Sequence, residues 1–413
     1  MTAPPPVNGA TARILARIRP QREKLPRDIK VMLAAAFLIA LGFGLVAPVL
    51  PQFATTFGVG NTEAAVIVAI FAFMRLAFAP AGGALIGKRG ERPVYVAGLL
   101  IVALSTAACA FAQDYWQLLL FRGLGGAGSV MFTVASMALV IRLAPPQSRG
   151  RVSGAYASAF LIGNVCGPIV GGLLAGLGLR VPFLAYAGAL LVAAFVVQTQ
   201  LSHQRQGAGE VRERAPDMRF GDALAAGTYR SALLSSFANG WATFGVRMAT
   251  VPLFAAAAFG AGPQAAGLAL AVFAAGNAAA LTFSGRLADS LGRKPMMISG
   301  LVVAGLSTAS IGITHDLPWF LAASTLAGVG SGLFGPAQQA AVADVIGSGR
   351  SGGKVLAVYQ MTSDVGAIVG PVAAGLLADG LGFGWAFGVT GATMLLAAVG
   401  WLPTRETLRV KPN

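Results

Sequence analysis

Long apolar segments alternate with short polar loops along almost the whole chain. Each segment holds about 18 residues or more between charged residues or glycine and proline turns, enough for a helix to cross the hydrocarbon core of a bilayer. The pattern predicts twelve membrane-spanning helices, at 31–54, 64–87, 94–112, 116–142, 152–177, 181–201, 232–258, 263–287, 295–314, 317–345, 355–378 and 383–403. The expected fold class is therefore an all-α membrane protein.

Loops that carry Lys and Arg alternate with loops that carry almost none. Basic residues are concentrated near both ends of the chain and in every second loop, and the intervening loops contain only Arg180. Because cytoplasmic loops carry the excess of positive charge, we expect both termini in the cytoplasm and the protein in the plasma (inner) membrane. A polar N-terminal stretch before a run long enough to span also argues against a signal peptide. The predicted organisation is a basic cytoplasmic tail over 1–30, a six-helix bundle over 31–201, a cytoplasmic linker over 202–230, a second six-helix bundle over 231–403 and a cytoplasmic tail over 404–413.

Composition supports this interpretation and narrows the function. Hydrophobic residues make up 56% of the chain and charged residues 11%, which excludes an ordinary soluble domain. The net charge of +15 lies in short loops rather than on one soluble face, so no nucleic-acid partner is expected. Cys109 and Cys166 lie in apolar segments, and no metal-spaced cluster, Ser/His/Asp set or phosphate-binding loop appears. We expect no enzyme activity, cofactor or metal, and a monomer in the lipid bilayer.

The two halves of the chain repeat each other. The segment GALIGKRGERP begins at Gly83 and GRLADSLGRKP at Gly285, 202 residues later. The pair Gly167-Pro168 recurs as Gly370-Pro371, 203 residues later. Two parallel six-helix repeats are one known way to build an alternating-access transporter around a site near the membrane midplane.

The motifs resemble those of the major facilitator superfamily, in particular its twelve-span drug:proton antiporters. Residues 285–294 match that superfamily's G-x-L-a-D-r-x-G-R-k signature, whereas the copy after span 2 has Gly87 in place of the acid. Residues 122–128 and 163–172 are similar to the family's patterns in spans 4 and 5. The resemblance implies outward transport and gating roles for Gly83, Gly90, Arg92, Gly285, Asp289, Gly292, Arg293, Gly163, Gly167, Pro168 and Gly171.

The glycines of span 5 also have a plain structural interpretation. Gly163, Gly167 and Gly171 recur at four-residue steps, and small residues let helix backbones approach closely. Pro168 cannot donate a backbone hydrogen bond and bends its helix, which would suit a gate between the halves. Both interpretations remain open from the sequence.

Ionisable residues inside the spans are the candidates for proton coupling, because such groups are costly there unless paired or hydrated. Asp364 is the one deep acid, and Arg75, Arg122 and Arg247 are the internal cations. None has a charged counterpart in the other half, which favours function over a neutralised structural charge. We assign proton coupling to Asp364, Arg122 and Arg75. The superfamily architecture places spans 2 and 11 side by side, so we predict a breakable ion pair between Arg75 and Asp364.

These features favour a proton-coupled exporter of small, largely apolar organic compounds. Candidate substrate contacts, which are also ordinary packing residues, are Arg247, Phe71, Phe73, Trp241, Phe244 and Gln338. Three internal arginines against one acid would also suit an uptake carrier or uniporter for an anionic metabolite. A sensor or lipid-binding membrane protein on a transporter fold is a third possibility.

Overall fold

The computed structural model describes residues 26–143, 149–201, 218–260, 262–347 and 352–407. Within these residues, twelve helices are long and apolar enough to cross a membrane, which confirms the predicted fold class. We number them as spans 1 to 12: Arg27–Thr55, Asn61–Arg89, Glu91–Ala110, Tyr115–Val140, Gly154–Ala175, Val181–Gln200, Gly227–Phe259, Pro263–Ser290, Arg293–Ile311, Leu317–Ile346, Gly353–Leu381 and Phe383–Trp401.

Several helices extend beyond the predicted bounds, because charged and polar residues continue a helix after its apolar stretch ends. The helix of span 4 continues to Leu143, and the helix of span 5 begins at Arg149. Span 7 begins at Gly227, and a short helix Phe220–Ala225 precedes it, so helical structure enters the predicted linker 202–230. Residues 202–217 and most of both predicted tails lie outside the described residues.

Spans 1 and 7 are irregular at corresponding places. Span 1 consists of Arg27–Val46 and Leu50–Thr55, with Pro51 at the start of the second helix. Span 7 consists of Gly227–Asn239, a π-helical turn over Gly240–Val246, and Arg247–Phe259 with Pro252 inside it. Proline removes a backbone donor, and π-turns frequently mark functional sites.

Close helix crossings recur in both halves and confirm the two pseudo-repeats. A side-chain carbon at Gly98 in span 3 would lie 2.7 Å from the backbone nitrogen of Phe132 in span 4. The same carbon at Gly300 in span 9 would lie 2.7 Å from the backbone nitrogen of Phe334 in span 10. Both residues of the second crossing follow those of the first by 202 positions, so the sequence repeat is also a packing repeat.

The N-terminal and C-terminal sets of six spans meet mainly along two helix pairs, with a smaller contact of span 7 against spans 1 and 2. Span 2 packs against span 11, as predicted, and span 5 packs against span 8. Gly375 of span 11 approaches Thr62 so closely that an added side-chain carbon would lie 2.7 Å from its Cα. Gly267 of span 8 approaches span 5 in the same way, with 2.4 Å to the carbonyl oxygen of Pro168. These four spans form most of the contact between the two sets.

Candidate translocation site

The two ends of the bundle differ in how the sets are joined. We call the end that carries Arg27 and Leu402 the terminal face, and the end that carries Gly60 and Gly262 the opposite face. At the opposite face, Gln52 Nε2 of span 1 donates a hydrogen bond of 3.0 Å to the carbonyl oxygen of Pro252 in span 7. The kinked segments of spans 1 and 7 therefore contact each other across the sets.

Asp379 of span 11 makes a second connection at the opposite face. Its Oδ1 accepts hydrogen bonds from the backbone nitrogen and Nδ2 of Asn61, at 3.1 and 2.8 Å. Its Oδ2 accepts from the backbone nitrogen and Oγ1 of Thr62, at 2.9 and 2.6 Å. The first backbone N–H groups of a helix lack intrahelical partners, so Asp379 of one set caps span 2 of the other.

Among the described residues, the side-chain hydrogen bonds that join the sets, through Gln52 and Asp379, lie at the opposite face. Large exposed side chains occur along the whole length of spans 2 and 11: Phe73 near the middle of span 2 is 50% exposed, Leu356 near the terminal face 49%, and Leu381 at the opposite face 63%. The described residues thus hold the two sets together by hydrogen bonds at the opposite face.

The structure brings Arg75 and Asp364 into the contact between spans 2 and 11. The two charges interact electrostatically, but no ion pair joins them among the described residues. Arg75 Nη1 instead donates to Ser129 Oγ of span 4 at 2.8 Å. Arg75 thus has a partner within its own set, and the predicted pair with Asp364 stays a prediction.

Arg122 is buried in the N-terminal set without a carboxylate partner among the described residues. Its guanidinium carbon lies 4.1 Å from the centre of the Phe71 ring, and Nε has no hydrogen-bond partner. The cation is therefore held mainly by an aromatic face.

Arg247 occupies a similar environment in the C-terminal set. It is the first residue after the π-helical turn, and its guanidinium carbon lies 3.6 Å from the centre of the Phe273 ring. The residue is 4% exposed, and neither Nε nor Nη1 has a hydrogen-bond partner. Among the described residues, no carboxylate pairs with it.

Sequence reasoning identified Phe71 but missed Phe273 and the hydrogen-bond partner Ser129. Phe273 follows Phe71 by 202 positions, so the repeat offset was the signal that could have found it. Ser129 lies seven residues after Arg122 on the same helix, two turns along its face, and had no motif to mark it.

The remaining cavity candidates divide into exposed and packed side chains. Phe244 is 53% exposed on span 7. Trp241 Nε1 donates to Thr390 Oγ1 of span 12 at 3.2 Å. Gln338 Nε2 donates to the carbonyl oxygen of Ala232 at 3.2 Å and to Ser235 Oγ at 3.1 Å. Trp241 and Gln338 thus join helices within the C-terminal set, and their part in substrate binding stays a prediction.

The loop glycines of the gating motif have a backbone reason to be glycine. Gly90 and Gly292 separate spans 2 and 3 and spans 8 and 9, with φ of 82° and 106°. Residues other than glycine rarely adopt these φ angles. Gly83 and Gly285 lie within the helices of spans 2 and 8.

The charged residues of the second motif form a cluster within the C-terminal set. Arg293 Nη1 contacts Asp289 Oδ1 at 2.5 Å, and Arg293 Nε contacts Asp344 Oδ2 of span 10 at 3.3 Å. Glu406 accepts hydrogen bonds from the backbone nitrogens of Arg293 and Lys294, at 2.9 and 3.0 Å. The C-terminal segment thereby caps span 9.

The first motif has the corresponding ion pair with its charges exchanged. Glu91 of span 3 pairs with Arg142 of span 4 at 2.8 Å. Both residues precede Arg293 and Asp344 by 202 positions. Arg92 Nη2 donates to the carbonyl oxygen of Gln198 at the end of span 6. In this conformation the motif residues thus bind neighbours of their own set.

Span 5 packs closely against span 1 of its own set and span 8 of the other set. Side-chain carbons at Gly163, Gly167 and Gly171 would lie 2.7, 2.5 and 2.2 Å from carbonyl oxygens of span 1. The carbonyl oxygen of Pro168 lies against Gly267 of span 8, whereas its ring Cδ lies against Gly44 of span 1. The glycines therefore allow close packing within one set, and Pro168 contacts both neighbours.

Comparison with known proteins identifies the family. The family model of the Major Facilitator Superfamily matches residues 32–227 and 232–413, and the chain belongs to that superfamily. It is therefore a transporter of the major facilitator class, with two parallel six-helix repeats.

Two relatives are named for drug resistance. The chain is 31% identical over 177 residues to the quinolone resistance protein NorA of Staphylococcus aureus (strain Mu50), covering 43% of this chain and 45% of that protein. It is 32% identical over 191 residues to the class E tetracycline resistance protein of Escherichia coli, covering 45% of this chain and 46% of that protein. The matched segments span less than half the length of these relatives.

Solved structures share the fold over nearly the whole chain. A bacterial homologue of the human lysosomal transporter Spinster, inward-facing and unoccupied, has a TM-score of 0.73 at 18% identity and covers 92% of this chain and 96% of its own. A D-xylose–proton symporter has a TM-score of 0.74 at 16% identity, with 92% and 98% covered. At these identities the likeness shows the fold.

Proposed function

We propose that the chain is a proton-coupled exporter of small, largely apolar organic compounds. Relatives named for quinolone and tetracycline resistance support export. The observation that carries the coupling proposal is the position of Asp364, a titratable carboxylate in the contact between spans 2 and 11, within electrostatic range of Arg75. With the termini in the cytoplasm, closure at the opposite face makes this the inward-facing state.

The proposed coupling step depends on whether Arg75 and Asp364 pair with each other. In the inward-facing state, Arg75 is held by Ser129, and Asp364 makes no ion pair among the described residues. When the sets rotate, Arg75 and ionised Asp364 approach and stabilise each other, whereas a protonated Asp364 offers no charge to pair. One proton on Asp364 thereby changes the relative free energies of the two conformations.

The test is transport by purified protein in liposomes, with ethidium inside and an imposed pH gradient. Asp364→Asn should lose pH-driven ethidium export and keep downhill exchange, because its amide cannot release a proton. The matched control is Asp222→Asn, which removes an exposed carboxylate outside the spans and should export at the wild-type rate. Wild-type, gradient-driven export by Asp364→Asn would refute the coupling role.

A second candidate function is uptake of an anionic metabolite. It is favoured by the two internal arginines, Arg122 and Arg247, that have no carboxylate partner among the described residues. The same liposomes separate the two candidates. An exporter that exchanges protons moves protons against the substrate, a symporter moves both together, and a uniporter moves substrate alone.

A further inference from the structure

The guanidinium of Arg247 lacks the partners that a buried cation normally has. Its apolar contact is the Phe273 ring at 3.6 Å, and two of its three nitrogens make no hydrogen bond. Removing such a group from water is expensive unless an anion or several acceptors replace the lost hydration. Its surroundings within the described residues provide neither.

Arg247 also lies too deep to reach the membrane surface. It precedes Phe259, the last residue of span 7, by twelve positions, or about 18 Å along a helix. Arginine side chains near helix ends can extend to the interface, but this distance exceeds the length of the side chain. A partner for the cation must therefore come from inside the bundle.

The other repeat shows that the fold does not require a cation at this position. Val46 holds the corresponding place in span 1 and is buried as an ordinary apolar residue. The N-terminal set nevertheless also places a guanidinium on the equivalent ring, since Arg122 lies 4.1 Å from Phe71. That arginine comes from span 4 rather than from the first span of its repeat. Two different helices thus deliver a cation to repeat-related rings, which argues for a role beyond packing.

Two buried hydroxyl groups on the helices that pack around Phe273 are also unpartnered. Thr250 lies one turn further along span 7, is 1% exposed, and its Oγ1 has no hydrogen-bond partner. Ser324 of span 10 is fully buried, and its Oγ is also without a partner. One turn after Ser324, at Gly328, span 10 crosses span 8 against the backbone of Phe273. Spans 7 and 10 therefore each leave a buried hydroxyl unpaired, and both pack against span 8, which carries the Phe273 ring.

We propose that Arg247 binds the carboxylate of an amphipathic organic acid during transport, with Thr250 and Ser324 as supporting donors and Phe273 against the apolar part. This inference rests on the proposed function as a carrier of small organic compounds and names one substrate class. Guanidinium forks suit carboxylates because they can donate two parallel hydrogen bonds.

Arg247 is 4% exposed in the conformation that is hydrogen-bonded across the sets at the opposite face. A ligand shifts a conformational equilibrium only if it binds one state better than the other. An acid that reaches Arg247 as the sets begin to move would satisfy donors that are unpaired in the closed state. Binding there would therefore promote the change of access, and neutral analogues would promote it less.

Binding of two fluorescent probes to the full chain in nanodiscs tests the proposal. Dansylglycine carries a carboxylate, and dansylglycinamide is its neutral amide. Wild-type protein should bind the acid about tenfold more tightly than the amide, the magnitude of one charge-assisted hydrogen bond. Arg247→Gln should weaken acid binding about tenfold and leave amide binding within about twofold.

Two further variants keep the test decisive if Arg247→Gln does not fold. Arg247→Lys keeps the charge but loses the fork, and should weaken acid binding about threefold to tenfold. Thr250→Val removes a hydroxyl at nearly constant volume and should also weaken only the acid. Arg180→Gln is the matched control, because it removes one exposed arginine from a loop at the opposite face.

Equal binding of both probes by wild-type protein, or no binding of either, would overturn the inference. Equal weakening of both probes in Arg247→Lys and Thr250→Val would overturn it as well. The measurement needs no proton gradient, so its result is independent of the coupling test. If wild-type protein shows no pH-driven export but still prefers the acid over the amide, the proposed function alone would be overturned.

Discussion

Three internal arginines are stabilised in different ways, and the difference suggests different roles. Arg75 has a hydroxyl partner, Ser129, and an acid within electrostatic range. Arg122 and Arg247 stack on phenylalanine rings and leave donors unpaired. A cation held by an aromatic face keeps its charge while leaving its N–H groups available, which suits transient binding better than permanent pairing.

Arg122 should be needed for coupled transport and not for folding. Arg122→Ala removes a buried cation to which we assign a role in coupling, so gradient-driven export of ethidium should be abolished while ethidium binding remains measurable. Export in liposomes and binding by fluorescence check this. Arg180→Ala, which removes an exposed loop arginine, should affect neither. Full export by well-expressed Arg122→Ala protein would contradict the role.

Gly171 should be intolerant of even the smallest side chain. An alanine Cβ there would lie 2.2 Å from the carbonyl oxygen of Leu45, so spans 1 and 5 would have to separate. We expect Gly171→Ala to lower the free energy of unfolding by about 1–3 kcal/mol, the usual cost of overpacking. Gly188→Ala, where nothing lies within 4 Å, is the matched control in thermal unfolding of the detergent-solubilised protein. Equal melting temperatures for the two variants would contradict the packing role.

The side-chain hydrogen bonds that join the two sets lie at the opposite face, and we expect them to favour closure there. Asp379 caps span 2 across the two sets, whereas Asp316 caps its own helix by accepting from the backbone nitrogen of Trp319 at 2.7 Å. The two caps use the same chemistry. Only the first must break when the sets separate at the opposite face, so it stabilises one conformation over the other.

Asp379→Ala should therefore favour opening at the opposite face. Loss of a charged cap costs about 1–2 kcal/mol, which corresponds to a population shift of about fivefold to thirtyfold. Thr56 and Ala258 are exposed at this face in different sets. Spin labels at these two positions, in protein with Cys109 and Cys166 replaced by Ser, should be farther apart in Asp379→Ala than in the wild type when measured by double electron–electron resonance.

The matched control for this shift is Asp316→Ala. It removes a cap of the same type within one set, so the distance between the labels should stay as in the wild type. Identical distance distributions for Asp379→Ala and the wild type would show that the cross-set cap does not hold the face closed.

For the whole molecule, the features that could be predicted from the sequence are those set by the local apolar pattern and by the internal repeat. Twelve spans follow from apolar length, and the repeat offset places Gly98 and Gly300 at equivalent crossings. The cap at Asp379 was not predictable, because a carboxylate at the end of one helix acquires this role only through the packing of span 11 on span 2. The ring of Phe273 could have been found from the repeat offset. Its contact with Arg247 could not, because the equivalent ring, Phe71, takes its cation from span 4 rather than from the first span of its repeat.

The orientation of the molecule is the prediction on which the inward-facing assignment depends. Basic loops alternate with loops that hold only Arg180, so tags on both termini should be reached only from the cytoplasmic side. A cysteine at position 210, in the polar stretch between the two sets, should likewise react with a membrane-impermeant maleimide only in inverted vesicles, once Cys109 and Cys166 are replaced by Ser. A cysteine at position 58, which follows span 1 at the opposite face, is the control and should react only in intact cells. Labelling of position 210 in intact cells would reverse the assignment, because closure at the opposite face would then leave the site open to the outside.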